Sequence, residues 1–513
     1  MSDKFYLTTT LPYVNAPPHI GFALEIIQAD AIARHERLRG REVFFNTGTD
    51  EHGVNIYRRA LEEGKEPQAY VDEYAKKFVD LMRALNISEH KFIRTTDAHH
   101  MSAAQELWRR SDKNGYIYKA KYRVKYCVGC ELEKTESELE DGRCLLHPTK
   151  PIEEIEEENY FFKFSAFQDR LLKLYAANPD FVLPEFRFKE IKKFVESGLK
   201  DFSVSRLKEK MPWGVPVPGD PSHVMYVWFD ALTNYISTLG WPASAKTPAD
   251  AKALAGKSAG KPDSTGVATD KPSYFEEWWG TKEHPNAVQI AGKDNLRQQS
   301  AMWQAMLMAA ELPPPKQILI HGFVQSGGQK MSKSLGNVVN PVEFSEKHGA
   351  DALRYFLLKE IPTFGDGDFT LERFVEVYNA DLANGLGNFA ARVTTLASKQ
   401  PLDKSSSRLD PKAETAIGEA HIKLNLAMAK YELDAALLAV RELSAFGDGY
   451  VNTTKPWETD NPDALFTLVV ILDNIAGMLQ PFLPATAGKI TSCVSHTDGQ
   501  IAVQKVGVLF PRI

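Results

Sequence analysis

Residues 4–22 read KFYLTTTLPYVNAPPHIGF, and this stretch decides the fold. Lys4 to Leu11 is rich in aromatic and β-branched residues and runs into a proline-containing loop, which predicts a strand followed by a turn. From His19 to about Arg39, apolar residues recur at helical spacing until Gly40, so the sequence predicts a helix that begins at the histidine.

A second strand is predicted from Glu42 to Thr47, and it ends in a turn at residues 48–50. Strand, helix and strand in this order predict an α/β fold with a parallel sheet. Further apolar segments of strand type occur at Val224–Phe229, Ala287–Ala291 and Gln317–Ile320. Polar or glycine residues at the ends of such strands lie where open parallel sheets bind ligands.

Composition limits the class of protein. A chain of 513 residues exceeds what one hydrophobic core supports, so about two to four domains are expected. With 43% hydrophobic and 25% charged residues, the chain is not disordered throughout. The formal net charge of -6 offers polyanions no overall attraction, so any nucleic acid has to be held by local basic patches.

The sequence also bears on the compartment. Its amino-terminal residues lack a basic segment followed by a long apolar run, and no uncharged apolar stretch of membrane-spanning length occurs elsewhere. Three of the four cysteines fall between Cys127 and Cys144, which argues against a secreted disulfide framework. We therefore expect a soluble cytoplasmic protein.

The composition and periodicity of the sequence change along the chain, and these changes predict five segments. They are residues 1–115, the first half of the α/β domain; 116–225, an insertion with a Cys/His cluster; 226–328, the second half; 329–372, a region with a dilysine loop; and 373–513, a helical bundle. Pro242–Pro272 is dominated by small and polar residues, which predicts a mobile surface loop. Helical periodicity over Ala416–Phe446 favours the bundle.

Two motifs suit phosphate chemistry. Pro18-His19-Ile20-Gly21 lies where the first strand passes into the helix, so free backbone N–H groups face the ligand edge of the sheet. Lys330-Met331-Ser332-Lys333-Ser334 follows Gly327 and Gly328, and two lysines on a flexible loop can neutralise the charge that develops on pyrophosphate. The alternatives are a structural turn histidine for the first motif and a solvated basic turn for the second.

A third motif suits a metal. Cys127-Val128-Gly129-Cys130 and Cys144-Leu145-Leu146-His147 form two pairs of ligand residues separated by 13 residues. Donors at these spacings can close a tetrahedral structural zinc site, whose ligands are Cys127, Cys130, Cys144 and His147. The alternative is a set of reduced cysteines without metal. Cys493 has no partner pattern and is expected to be structural.

The two phosphate motifs together resemble the paired signatures of class I aminoacyl-tRNA synthetases. Further segments resemble the methionyl branch of that family: LPYVNA at residues 11–16, GTDEHG at 48–53, YVWFDAL at 226–232 and GKD at 292–294. The resemblance runs from residue 5 to the LFPR ending at residues 509–512, so it covers essentially the whole chain.

The resemblance implies a class I Rossmann-like catalytic domain that is split by a zinc-knuckle insertion and followed by a C-terminal α-helical anticodon-binding bundle. It implies ATP-dependent activation of L-methionine to methionyl-adenylate and transfer of the methionyl group to tRNA(Met). The implied cofactors are Mg²⁺ with ATP and one structural Zn²⁺. The family also implies a monomer, since no appended tRNA-binding barrel follows the helical segment.

Residues at matching positions fall into three groups. The implied ATP site comprises His19, Gly21, Lys293, Asp294, Lys330, Ser332 and Lys333, of which His19, Lys330 and Lys333 are implied to be catalytic. The implied amino-acid site comprises Leu11, Tyr13, Asp50, Trp228, Ala231, Leu232, Tyr235, Asn295 and Gln299. The implied anticodon site comprises Asn388, Arg392 and Trp457.

These residue types suit the implied roles. A carboxylate at Asp50 can pair with the substrate ammonium, and aromatic and small side chains can wall an apolar slot for a thioether. The alternative for Trp228 and Tyr235 is ordinary core packing. An indole at Trp457 can stack on an unpaired base, although polar residues on helix surfaces are usually only solvated.

The chain departs from the family pattern at four positions. Phe22 stands where the family usually carries a second histidine, and Asn295, Gln298 and Gln299 stand where it favours an aliphatic residue, an aromatic residue and a histidine. Unpaired amides beside an apolar ligand cost free energy, so the selectivity of the pocket can differ. Two alternatives therefore stay open: a paralogue with another amino acid or acceptor, and a catalytically silent tRNA-binding homologue.

Overall fold

The computed structural model describes residues 3–129, 132–134, 139–145, 147–242, 274–330, 339–399, 401–458 and 461–513. The chain divides into two compact units. The first comprises Met1–Pro17, Glu42–Val79 and His90–Ile320, and the second comprises Pro18–Arg41, Asp80–Glu89 and His321–Ile513. The loop predicted at Pro242–Pro272 lies outside the described residues from residue 243 onward. The boundaries of the five predicted segments stay a prediction.

A parallel sheet forms the centre of the first unit, as the sequence predicted. Within the described residues it has six strands, whose order is Lys91–Arg94, Glu42–Thr49 (β2), Lys4–Thr8 (β1), Val288–Gly292, Gln317–His321 and Val182–Leu183. β1 pairs in parallel with both β2 and Val288–Gly292. The carboxyl ends of these three strands therefore share one edge of the sheet, where open α/β folds bind ligands.

Helices and smaller antiparallel sheets complete the first unit. Its helices are Val54–Glu62, Ala98–Lys113, Gln168–Ala177, Glu185–Glu196, Val227–Ala231, Asn234–Ser237, Tyr274–Trp279 and Trp303–Ala309, with 3-10 turns at Phe164–Phe167 and Lys293–Asn295 and a π-helix at Gln298–Met302. The helix Pro67–Ala84 begins in this unit, and its residues from Asp80 onward belong to the second unit. Its antiparallel strands are Ile117–Cys127, Leu132–Lys134, Leu139–Glu140, Arg143–Cys144, Ile152–Phe162, Phe202–Ser203, Ser205–Leu207, Pro216–Val217 and Asp220–Met225. Large buried aromatic side chains such as Trp108, Trp279 and Trp303 fill the core.

One predicted strand of the parallel sheet is wrong. Val224–Phe229 was expected to be a strand, but Asp220–Met225 belongs to a three-stranded antiparallel sheet and Val227–Ala231 is a helix that begins after Tyr226. A short apolar run has the same composition in a buried strand and in a buried helix, so periodicity cannot separate the two.

The second unit is largely helical, as predicted, and it includes the first helix of the chain, Ile20–Leu38 (α1). Its other helices are Pro341–His348, Ala350–Glu360, Leu371–Val377, Asn388–Ala397, Pro411–Ala429, Leu433–Thr454, Pro462–Leu479 and Pro484–Ser492, with a π-helix at Tyr378–Gly387. Its strands are Val324–Ser326, Gln329–Lys330, Gly367–Asp368, Leu402–Asp403, Val494–His496 and Gln500–Val503.

The predicted helical run Ala416–Phe446 falls in two helices, Pro411–Ala429 and Leu433–Thr454. They are separated near Tyr431, where φ is 59°. Pro462–Leu479 is long and apolar enough to cross a membrane, but 56% of this segment is buried in the bundle, as is common for a core helix. The bundle thus accounts for the apolar character of this helix.

A buried ion pair fixes α1 within the second unit. Arg354 Nη1 lies 2.7 Å from Asp30 Oδ2, and both side chains are fully buried. Arg354 also donates to the carbonyl groups of Phe482, Leu85 and Pro481 at 2.7, 3.3 and 3.1 Å. Burial alone would raise the pKa of the Asp30 carboxyl, but the guanidinium groups of Arg354 and Arg34 outweigh it and lower the pKa.

We predict that Arg354→Met lowers the free energy of unfolding by about 3–5 kcal/mol, because the buried carboxylate of Asp30 loses one of its two arginine partners. Urea denaturation at neutral pH measures this change. The pKa of Asp30 is lower in the folded state, so the contribution is present above the unfolded pKa of about 4 and is lost as the pH falls. The difference in free energy of unfolding between Arg354→Met and the unmodified chain should therefore become smaller at acid pH.

The matched control is Lys423→Met, which removes an exposed ion pair with Glu442. Its unfolding transition should coincide with that of the unmodified chain, since exposed pairs contribute little. Equal destabilisation by both substitutions would contradict a special role for the buried pair.

Candidate active site

Two loops meet at the carboxyl edge of the parallel sheet. The backbone N–H of Asp50, just after β2, donates to the carbonyl of Pro12 at 2.9 Å, and the N–H of Val14 donates to the carbonyl of Asp50 at 3.1 Å. Tyr13 and Asp50 are paired as an isolated parallel bridge. The fold thus brings together two residues of the predicted amino-acid site that are far apart in sequence.

Glu51, the residue after Asp50, holds this loop in place through its side chain and its backbone. Glu51 is buried, and its carboxylate accepts from Arg94 Nε at 2.7 Å and Nη2 at 2.9 Å, and from Thr49 Oγ1 at 2.6 Å. Its backbone N–H donates to Thr95 Oγ1 at 2.9 Å. Burial opposes the charge of Arg94, but its contacts with the carboxylates of Glu51 and Asp72 outweigh burial and raise the pKa of the guanidinium. This bidentate pair fixes the backbone that carries Asp50.

Asp50 is only 7% exposed and lies at the end of β2. A carboxylate in this position is partly shielded from water and has a fixed backbone, so its attraction for a cation is stronger than at an open surface. This arrangement suits the capture of a substrate ammonium group.

The predicted apolar wall lies on two short helices. Trp228 is half-buried and shares the helix Val227–Ala231 with Ala231, three residues later, so the two side chains lie on one face. Leu232 and Tyr235 are each 2% exposed and pack within the core. Tyr6 Oη donates to the carbonyl of Tyr235 at 2.7 Å, which ties this segment to β1. Tyr235 therefore packs in the core, in addition to its predicted role in the amino-acid site.

The amides that depart from the family pattern are partly paired. Gln299 is 1% exposed, and its Nε2 donates to the hydroxyl of Tyr235. Gln304 Nε2 donates to the carbonyl of Gln299 at 2.9 Å. Among the described residues, Gln299 Oε1 and Trp303 Nε1 are buried and have no hydrogen-bond partner. Asn295 is half-buried at the end of the turn Lys293–Asn295. A buried amide therefore lies against the hydroxyl of Tyr235.

The predicted ATP residues lie in both units. His19 is the N-cap of α1, and its Nδ1 accepts from the backbone N–H of Gly21 at 3.1 Å. This contact makes His19 a capping residue, which agrees with the structural alternative and leaves a phosphate role open. Phe22 is buried in the first turn of α1. In the first unit, Lys293 is half-buried and Asp294 is exposed.

The dilysine loop is not tested by the structure. Lys330 ends the short strand Gln329–Lys330, but its side chain and residues 331–338 lie outside what is described. The predicted roles of Lys330, Ser332 and Lys333 therefore stay predictions.

The cysteine cluster has the geometry of a metal site. The ligand atoms of Cys127, Cys144 and His147 all lie within 4.8 Å of one another, and both cysteines are buried and free of disulfides. Gly129 permits this closeness, because a Cβ there would lie 2.5 Å from His147 Cγ. The predicted fourth ligand, Cys130, lies outside the described residues.

The predicted anticodon residues lie in the second unit, where Asn388 and Trp457 are exposed and Arg392 is half-buried. The Arg392 guanidinium lies 5.7 Å from the ring centroid of Trp457, which is 48% exposed. Arg392 Nη1 donates to Asp448 at 2.9 Å and Nη2 to Asn452 at 2.8 Å. Asn388 is exposed one helical turn before Arg392. The fold thus presents an aromatic face and a fixed guanidinium side by side.

Sequence reasoning missed several residues that shape these sites. Glu51 lies within the GTDEHG segment, so its motif offered a signal. Arg94 and Asp448 offered none, because each acts through a partner far away in sequence. Such partners can be assigned only once the fold is known.

The chain matches the family described as tRNA synthetases class I (M) over residues 5–136 and 129–394. It is 39% identical over 512 residues to the methionine–tRNA ligase of Rhizobium meliloti (strain 1021), and the match covers 96% of this chain and 92% of that protein. It is also 39% identical over 525 residues to the methionine–tRNA ligase of Thermotoga maritima, and this match covers 99% of this chain and 78% of that protein.

The fold is similar to that of a Mycobacterium tuberculosis methionyl-tRNA synthetase in complex with methionyl-adenylate. The TM-score is 0.87 and the sequence identity is 35%, and the match covers 100% of both chains. The apo form of that enzyme matches with a TM-score of 0.80 and 32% identity, over 100% of this chain and 99% of that one.

Proposed function

This chain belongs to the methionyl class I tRNA synthetases, and from that premise we propose how its residues carry out the reaction of a methionine–tRNA ligase. Its fold is the class I fold, with a parallel α/β sheet and a helical carboxyl-terminal region. The observation that carries the proposal is the fixed placement of Asp50 beside Tyr13 at the carboxyl edge of the sheet.

The reaction has two steps. A carboxylate oxygen of methionine attacks the α-phosphorus of ATP, and pyrophosphate leaves as methionyl-adenylate forms. A terminal hydroxyl of tRNA then attacks the carbonyl carbon of the adenylate, loses its proton and releases AMP. Positioning and electrostatic stabilisation can accelerate both steps without a covalent enzyme intermediate.

We assign the substrate amino acid to the first unit. Asp50 receives the ammonium group, and Leu11, Tyr13, Trp228 and Ala231 line the side of the thioether. The hydroxyl of Tyr235, which accepts from Gln299, and the side chain of Asn295 form a polar floor of the amino-acid pocket. The apolar Leu232 lies in the same buried segment as Tyr235. A polar floor discriminates more strongly between side chains than a purely apolar one.

We assign the triphosphate to the remaining residues. The amino-terminal N–H groups of α1 near His19 and Gly21 favour an anion, since the helix dipole points its positive end there and most of the helix behind them is buried. Lys293 and Asp294 follow the buried strand Val288–Gly292 and suit contacts with the nucleotide. Lys330, Ser332 and Lys333 complete this assignment by resemblance alone. Mg²⁺ bound to ATP would neutralise part of the phosphate charge.

We predict that methionine-dependent exchange between ATP and pyrophosphate exceeds the exchange with every other standard amino acid. Asp50→Asn should raise the KM for methionine by at least about 30-fold, because the ammonium group loses a shielded charged partner. The KM for ATP should change little. Steady-state exchange kinetics with each substrate varied in turn measure both values.

The matched control is Asp201→Asn, which removes the same charge from a carboxylate that binds Tyr118 and Ser165. It should leave the KM for methionine unchanged. Exchange that depends on a different amino acid would support the paralogue. Binding of tRNA without any exchange would support the silent homologue, and either result would refute the proposed function.

We propose one structural zinc ion held by Cys127, Cys144 and His147, with Cys130 as the fourth ligand. Two thiolates and an imidazole within 4.8 Å are a donor set that zinc prefers. Zinc would join the ends of two hairpin segments and thereby stabilise the insertion.

Gly129→Ala should weaken zinc binding by about 10–100-fold, because the new Cβ displaces the His147 ring. Elemental analysis of the purified chain after dialysis against a weak chelator measures the zinc content. Gly418→Ala is the control, since a Cβ there meets nothing within 4 Å. An unmodified chain without zinc, or a Gly129→Ala chain that keeps it, would refute the site.

We propose that Asn388, Arg392 and Trp457 bind the anticodon of tRNA(Met). The support is the contact of Arg392 with the exposed ring of Trp457 and the orientation of Arg392 by Asp448 and Asn452. An indole can stack on an unpaired base, and a guanidinium can bond to its edge.

Trp457→Ala should raise the KM for tRNA in aminoacylation by about 5–150-fold, because stacking on one base contributes about 1–3 kcal/mol. Exchange between ATP and pyrophosphate should not change. Phe186→Ala is the control, because Phe186 is also an exposed aromatic residue but lies in the first unit. An unchanged KM for tRNA would refute this role of Trp457.

We also propose that the chain acts as a monomer in the cytoplasm. A reducing compartment suits the proposed zinc thiolates, because oxidised cysteines cannot bind the metal. Sedimentation equilibrium that gives twice the mass of the chain would refute the monomer.

A further inference from the structure

A fully buried carboxylate lies beside the proposed amino-acid site and has no part in the reaction described above. Asp230 Oδ2 lies 2.7 Å from His52 Nδ1, and Asp230 Oδ1 lies 2.9 Å from His100 Nε2. All three side chains are buried. They come from the loop after β2, the helix Ala98–Lys113 and the helix Val227–Ala231. The carboxylate therefore joins three separate elements of the first unit.

Each imidazole has a further contact on its far side. His100 Nδ1 lies 2.9 Å from Ser237 Oγ, on the helix Asn234–Ser237. The ring of His52 lies 5.5 Å from that of Trp213, whose Nε1 donates to the carbonyl of Glu51 at 2.6 Å. A continuous chain of contacts thus runs from the loop that carries Asp50 to both helices of the proposed pocket wall.

The two histidines stabilise the charge of Asp230. Burial alone would raise the pKa of its carboxyl, but His52 and His100 outweigh burial and hold the pKa at about 2. An ionised carboxylate only accepts hydrogen bonds, so the facing nitrogens, His52 Nδ1 and His100 Nε2, both carry protons. The carboxylate thereby fixes the tautomer and the orientation of both rings.

We propose that Asp230 is a positioning residue for methionine, which fixes the separation between Asp50 and the pocket wall by holding His52 and His100. His52 lies two residues after Asp50, and Asp230 lies directly before Ala231 and two residues after Trp228. Each end of the bridge is therefore adjacent to residues assigned to the substrate. This inference rests on the proposed roles of Asp50 and Trp228.

A directional bridge distinguishes this role from ordinary packing. An apolar side chain of similar volume would fill the same space without the desolvation of a charge. A carboxylate with two fixed N–H partners instead sets distances and angles between the elements it joins. Small errors in such distances lower the rate or affinity strongly, because reacting groups must be held in a narrow range of positions.

The test uses the full chain and exchange between ATP and pyrophosphate. Asp230→Asn keeps the shape of the side chain but turns one acceptor into a donor that faces an imidazole N–H. We expect the KM for methionine to rise by about tenfold or more, while the KM for ATP changes by less than about twofold. Equal rises in both values, or no rise in either, would overturn the proposal.

Two pairs of histidine variants provide the rescue. The amide of His52→Asn can place its Nδ2 donor where the imidazole Nδ1 was, and the amide of His100→Gln can likewise replace Nε2. Both should keep the KM for methionine close to that of the unmodified chain, whereas His52→Leu and His100→Leu should raise it. These pairs decide the question even if Asp230→Asn does not fold. Similar KM values within each pair would overturn the proposal.

His223→Leu is the matched structural control. His223 is also a buried histidine of the first unit, and its Nε2 lies 3.0 Å from the carbonyl of Glu158. This variant should lower the melting temperature without a change in the KM for methionine. Loss of methionine-dependent exchange in the unmodified chain would refute the proposed function, whereas normal exchange with an unchanged KM in Asp230→Asn would refute only the positioning role.

Discussion

The bidentate ion pair between Glu51 and Arg94 is the constraint on which the proposed amino-acid site depends. It lies directly beside Asp50, at the point where β2 ends, and it connects this loop with the strand Lys91–Arg94. Backbone hydrogen bonds to Pro12 and from Val14 hold the loop on its other side. A carboxylate that is already fixed loses little entropy when a substrate binds, so its charge contributes more fully to affinity.

The second unit has its own central constraint. Arg354 satisfies a buried carboxylate of α1 and three backbone carbonyl groups, so it joins α1 to the segments around Leu85 and Phe482. The N-cap residue His19 starts a helix that is anchored by this pair. Rigidity of the helix matters for anion binding, because its amino-terminal N–H groups act together only when the first turn is well ordered.

The sequence was sufficient for elements with strong periodicity. It predicted β1, α1 and β2, and the helical bundle within residues 373–513. It failed at Val227–Ala231, where five residues are too few for a helical period to emerge. It also gave no sign of Arg94 or His100, because each is an ordinary polar residue until the fold places a carboxylate against it. Motifs identify what contacts a ligand, whereas supporting residues depend on tertiary structure.

Neither unit is a contiguous piece of the chain, and this has a consequence for biogenesis. α1 is translated before its partner Arg354, which emerges from the ribosome about 300 residues later. At a translation rate of about 5–20 residues per second, the apolar surface of α1 stays without its packing partners for tens of seconds. During this interval the nascent chain exposes apolar helix surface that the folded unit buries, which makes this segment prone to aggregation until Arg354 and the following helices have been translated.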